Sequence, residues 1–104
     1  MLIQINTDNN IEGRERMEVY FRSVLEESLH RFEDHITRLE VHLGDENSEK
    51  FGTDDKRCMI EARLAGKQPI AVINHSDTTE KSFNGAIEKM KKVLATTFDK
   101  MKTY

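Results

Sequence analysis

Cysteine, proline and glycine are scarce in these 104 residues, and no apolar stretch approaches the length needed to cross a membrane. The one cysteine, Cys58, has no partner for an internal disulfide, which agrees with a reducing compartment. The one proline, Pro69, lacks an N–H donor and belongs at a strand end or on a sheet edge. Gly44, Gly52, Gly66 and Gly85 are scattered, with no strand-to-helix junction of the kind that cradles phosphate. Met1 to Asn10 alternates apolar and polar residues and lacks the basic start and apolar run of a signal peptide. Cytoplasm is therefore the expected location.

A surplus of positive charge is missing too, since the chain carries a formal −3. The charge is unevenly spread: residues 1–55 hold 6 Lys/Arg against 14 Asp/Glu, and residues 56–104 hold 10 against 5. A patch can be basic while the molecule is acidic. With 37% hydrophobic and 34% charged residues the composition is that of a soluble globular domain with a thin core. A single domain, 1–104, is expected, and a chain this short buries only about two-thirds of its unfolded surface, which argues against a spacious catalytic cavity.

Periodicity supplies the elements. Ile3 and Ile5 alternate with Gln4 and Asn6, as in a half-buried strand. Asp8, Asn9 and Asn10 form an Asx-rich turn whose oxygens suit a helix start. A helix is predicted from Ile11 or Gly13 to Phe32, with Met17, Tyr20, Phe21, Val24, Leu25, Leu29 and Phe32 on its apolar stripe. A second strand, Ile36–Leu43, turns Leu39, Val41 and Leu43 inward and Arg38, Glu40 and His42 outward. Residues 44–55 are polar and glycine-punctuated, the pattern of a long exposed hairpin loop.

Lys56–Leu64 forms a third strand with Cys58, Ile60, Ala62 and Leu64 inward. A turn at 65–67 leads to a fourth, Gln68–His75, whose phase is ambiguous because Ile70 and Val72 compete with Ala71 and Ile73 for the core. Asp77 and Glu80 are spaced as a capping box before a last helix. There Phe83, Ile87, Met90, Leu94, Thr97 and Met101 step by threes and fours, which marks core and not a cofactor site. The expected class is α+β, in the order β-α-β-β-β-α. The first two strands are parallel through a helical crossover, the other three strands form an antiparallel meander, and both helices pack on the one apolar face.

Most chemistry-bearing patterns fail on spacing. His30, His35, His42 and His75 share no ligand-like spacing and Cys58 has no companion, so no metal site is expected. Asp45, Asn47 and Glu49 resemble part of a calcium loop, but Lys50 stands where the turn demands glycine. An enzyme would need to use Arg38, His42, Arg57, Glu61 and Arg63 on the open sheet face, where alternating charges are better explained as cross-strand pairing. No catalysis and no cofactor are expected.

The last helix is more informative. Lys81, Lys89, Lys91, Lys92, Lys100 and Lys102 face only Glu88 and Asp99 across residues 81–102. At about 100° per residue, Lys89 and Lys100 fall on one flank of the stripe, Lys91 and Lys102 on the other, and Lys81 and Lys92 at the back. The bland alternative is a solvated helix with lysines favouring its carboxyl end. The first helix adds Arg14, Arg16, Arg22 and Arg31, diluted by Glu15, Glu18, Glu26 and Glu27.

Taken in order, IQINTDNNI, LHRFEDHITRLEVHL, KRCMIEARLAGKQPIAV, HSDT and AIEKMKKVL resemble the ribosome hibernation-promoting factor and ribosome-associated inhibitor family, also called sigma-factor modulation proteins. The resemblance covers nearly the whole chain and is to the short form, without the further domain by which longer members pair ribosomes. It implies a four-stranded sheet with two helices on one side, similar to double-stranded RNA-binding domains. It also implies a translation modulator that occludes the mRNA and tRNA channel of the small ribosomal subunit in stationary or stressed cells.

By that analogy Lys89, Lys91 and Lys92 match the family's basic stretch, and Arg22 and Arg31 fall near basic positions of its first helix. Lys81 and Lys100 complete the expected rRNA-binding set. Expected partners are the small subunit and its rRNA, with no DNA and no membrane, and an exposed edge strand leaves a homodimer open. The rival reading is a protein-interaction module that docks a basic partner on the acidic half.

Overall fold

The computed structural model describes residues 1–8, 14–45 and 56–99. Its elements run β1 (Leu2–Thr7), α1 (Arg14–Ser28), a 3₁₀ turn (His30–Phe32), β2 (Ile36–Asp45), β3 (Lys56–Leu64), β4 (Ile70–Ser76) and α2 (Thr79–Asp99). The sheet order is β1-β2-β3-β4, with β1 parallel to β2 and the other neighbours antiparallel. This is the expected α+β topology.

Alternation decides which face is covered. Ile3 and Ile5, Leu39, Val41 and Leu43, and Cys58, Ile60 and Ala62 are buried on one side of the sheet. Against them lie Phe21, Leu25 and Leu29 of α1 and Phe83, Ala86, Ile87, Met90, Leu94 and Phe98 of α2. The two helices meet where the Phe21 and Phe83 rings stack, 3.8 Å between centroids and 10° from parallel. Both helices therefore sit on the same face, as the single apolar side of the strands requires.

Several expectations are corrected in detail. The first helix does not reach Phe32: it ends at Ser28, because Leu29 (φ −108°, ψ 11°) leaves the helical region, and Phe32 reaches the core from the separate 3₁₀ turn. Tyr20 is 50% exposed, since Phe21 beside it takes the inward place under Phe83. Gly44 and Asp45, assigned to a loop, belong to β2, held by the Lys56 ammonium 2.7 Å from the Asp45 carboxylate. The rest of that loop, 46–55, lies outside the described residues, as do Asn9, Asn10 and the proposed helix start at 11–13. The Asp8 carboxylate accepts the Asp45 amide at 3.0 Å and ties β1 to β2.

The fourth strand begins at Ile70 and extends to Ser76, and its phase is settled. Val72 is buried and Ile70 packs against the core, while Ala71 and Ile73 face the open side. Thr78, not Asp77, caps α2, its hydroxyl accepting the Lys81 amide at 3.1 Å. Asp77 instead accepts from the Ser76 hydroxyl and the Lys81 ammonium, which hold its carboxyl below the usual range. On the α2 stripe Phe98 takes the buried place expected of Thr97, whose hydroxyl donates to the Val93 carbonyl. Met101 lies outside the described residues. At the β3–β4 turn Gly66 has φ +72°, a conformation that other residues resist.

A close approach fixes α2 over β4. The Asn74 side-chain amide donates to the Ser82 carbonyl at 3.1 Å, and a methyl group added at Gly85 would stand 2.1 Å from the Asn74 amide nitrogen. Gly85→Ala should therefore lower stability by about 1–2 kcal/mol in a denaturant melt, strain exceeding the helix-propensity gain of about 1 kcal/mol. Adding Asn74→Ala should recover part of the loss.

Burial pushes the Cys58 thiol from 9.0 up to about 12, Arg57 pulling weakly the other way. The protonated thiol is thus preferred by the folded state. Its contribution is intact below pH 9.0 and is lost as pH rises towards about 12, and at pH 8 a thiol reagent should react only at the rate of opening.

Candidate nucleic-acid interface

The open sheet face accounts for its own charges. Glu40, in the middle of β2, has its side chain only 15% exposed and lies 3.0 Å from Arg38 Nε, 3.6 Å from Arg63 and 3.6 Å from His42 Nε2. Arg38 also donates to the Gln4 side chain on β1. Arg63 approaches Glu61, its strand neighbour on the same face, at 3.5 Å. One carboxylate gathers cations from two strands, which is the cross-strand pairing expected for a wet face. Among the described residues no group of three His, Cys, Asp or Glu side chains is placed to hold a metal ion.

The basic residues singled out from the sequence separate into two kinds. Arg22 points back to the sheet and donates to the Ile3 carbonyl at 2.7 Å, so its guanidinium fastens α1 to β1. Arg31 pairs with Asp99 at 2.8 Å and lies 4.6 Å over the Phe32 ring, joining the 3₁₀ turn to the end of α2. Lys81 pairs with Asp77 at 3.4 Å across the first turn. Lys91, on a half-buried flank, stands 3.9 Å from Glu88.

Lys89 and Lys92 differ from these four. The Lys89 ammonium donates to the Ile73 carbonyl at 2.7 Å, a neutral acceptor that leaves its charge uncancelled. Lys92 is exposed, and among the described residues neither lysine has a carboxylate partner. Three residues apart, they are about 60° apart around the helix and share one side of it. Lys100 lies outside the described residues. Of the basic residues singled out, Lys89 and Lys92 thus keep their charge available in the middle of α2, whereas Arg22 and Arg31 serve the scaffold.

Sequence reading missed an open groove of about 660 Å³ where α1 meets the start of α2, lined by Arg16, Met17, Tyr20, Phe21, Thr79 and Glu80. Its signal in the sequence is Tyr20, which has the spacing of the apolar stripe yet is half exposed; Val19 beside it is 72% exposed. No helix among the described residues is long and apolar enough to cross a membrane.

A one-sided four-stranded sheet, two helices beneath it and a lysine-bearing terminal helix define the class of small α+β domains to which two solved structures are similar. The N-terminal domain of Protein Y from Thermus thermophilus superposes with a TM-score of 0.68 and 18% identity, covering 88% of this chain and 93% of that one. A ribosomal subunit interface protein from Coxiella burnetii superposes with a TM-score of 0.69 and 19% identity, covering 95% and 99%. These identities establish the shared fold. No curated protein matches the sequence. The model of the family described as sigma 54 modulation protein / S30EA ribosomal protein matches residues 3–102, and the chain belongs to that family. It is accordingly a ribosome-associated protein of the modulation and hibernation class.

Because the Arg22 bond is partly buried and joins two elements, Arg22→Ala should lower stability by about 1–2 kcal/mol. Lys92→Ala should leave stability within about 0.5 kcal/mol of the parent. Paired melts of the two variants check the division.

Proposed function

We propose that the protein binds the small ribosomal subunit through rRNA phosphates, occludes the mRNA and tRNA channel and thereby modulates translation without catalysing a reaction. The observation that carries this reading is the pair Lys89 and Lys92, adjacent on α2 and without carboxylate partners among the described residues. Ammonium groups held on a rigid helix meet phosphate by charge and read backbone shape, not base sequence. Lys91 and Lys81 flank them, and their carboxylate contacts are exposed, so a phosphate can compete for either. Lys100 would extend the same surface. Arg22 and Arg31 support it from behind, by fixing α1 and the end of α2. The cytoplasm is the compartment this function requires.

A second reading has its own observation. Glu15, Glu26 and Glu27 of α1 are exposed and make no ion pair among the described residues, a surface suited to a basic protein partner.

Co-sedimentation with small subunits decides between them. Binding through phosphates should weaken as salt rises, and replacing Lys89, Lys91 and Lys92 together with Glu should abolish it. A triple variant that pellets like the parent would show that α2 is not the contact. Retention of every partner after nuclease treatment would favour the acidic face of α1 instead.

A further inference from the structure

Backbone groups of successive strand residues point to opposite sides, so the register shows which of them the sheet leaves unused. The Asp8 amide donates to the Leu43 carbonyl at 3.2 Å, and Thr7 is the partner of Leu43. Leu39, Val41 and Leu43 therefore turn their backbone groups to β1, and Arg38, Glu40 and His42 turn theirs to β3. The partners there are Arg63, Glu61 and Met59. Alternation next directs Cys58, Ile60 and Ala62 to β4, where they meet Asn74, Val72 and Ile70. Ala71, Ile73 and His75 are left with amides and carbonyls pointing away from the sheet. On β1 the same reasoning leaves Ile3, Ile5 and Thr7 pointing outward.

Edge strands of this kind are templates for another chain, and proteins deter pairing with charged residues in the strand itself. Here neither LIQINT of β1 nor IAVINHS of β4 contains an Asp, Glu, Lys or Arg. The deterrent comes from the helices. Arg22 donates to the outward carbonyl of Ile3, and Lys89 donates to the outward carbonyl of Ile73, each at 2.7 Å. The two guards differ in permanence: the Arg22 bond is partly buried, whereas the Lys89 bond is exposed and free to exchange with solvent.

We propose that the outer edge of β4 is a strand-pairing surface for a second copy of this chain, held closed by the Lys89 ammonium. Ile73 is the midpoint of Ile70–Ser76. In an antiparallel pair about a two-fold axis through it, Ile73 of one copy lies opposite Ile73 of the other, and each amide donates to the other's carbonyl, the acceptor that Lys89 occupies. Ala71 then lies opposite His75, and no like charges meet. Ile73 is 40% exposed on the open face, where its side chain would pack against its own copy. Pro69, without an N–H, precedes the strand and ends the pairing there. The same axis brings the two Lys89 side chains together, so the guard works by filling the acceptor and by repulsion.

This inference does not depend on rRNA binding, and its test uses the free protein without nucleic acid. In sedimentation equilibrium over the micromolar range the parent, at 12.1 kDa, should remain a monomer. Lys89→Arg, which keeps a donor and the charge, should do the same. Lys89→Ala should move to twice the parent mass.

Adding Ile73→Cys to Lys89→Ala should then give a covalent dimer on oxidation, because such a pair sets its Cα atoms about 5.5 Å apart. Ala71→Cys in the same background should not, since its opposite number is His75, and the native Cys58 is buried. Lys89→Ala remaining a monomer at every concentration overturns the proposal. So does a dimer that cross-links at Ala71→Cys and not at Ile73→Cys, or an edge that accepts only a foreign extended peptide.

Discussion

Everything in this molecule depends on a sheet that is apolar on one side only. The strands bring Ile3, Ile5, Leu39, Val41, Leu43, Cys58, Ile60 and Ala62 to a single face, and both helices must come to that face to bury their own stripes. Stacking of Phe21 on Phe83 joins the two helices over it. Apolar burial is worth about 25 cal/mol per Å², and a thin core has no second layer on which to draw. The opposite face is consequently left mainly to polar groups, with Leu2 and Ile73 exposed on the two edge strands.

Charge is arranged to serve that architecture before it serves any partner. Glu40 gathers Arg38, Arg63 and His42 on the open face, Arg31 binds Asp99, and Arg22 is committed to a β1 carbonyl. The Arg63, Arg31 and Arg22 contacts join groups on different elements, far apart in the chain. Among the basic residues of α2, Lys89 and Lys92 are left without carboxylate partners, on the solvent side of the helix. An overall negative chain can thereby keep a positive stretch, because Glu15, Glu26 and Glu27 lie exposed on α1, away from the middle of α2.

The order of elements, the sheet topology and nearly all of the core were legible in the sequence, because period-2 and period-3.6 patterns record burial directly. Val72 against Ala71 and Ile73 was not legible: both sets are apolar, and only the pairing of β4 with β3 chooses between them. The end of α1 was hidden for a similar reason, since Leu29 and Phe32 keep helical spacing while the backbone has already changed course. Of the candidate site, the lysines of α2 could be found by composition. That Arg22 and Arg31 belong to the scaffold could not, because their partners, Ile3 and Asp99, are 19 and 68 residues away.

The bare α-carbon of Gly85 has a reach beyond its own contact. By admitting the Asn74 amide beneath α2, it sets how low the helix rides on the last strand, and Lys89 stands one helical turn further along. At that height a four-carbon stem spans from helix to sheet rim. A missing methyl group thus governs where an ammonium ion comes to rest, and through it whether the rim of the sheet is open or shut.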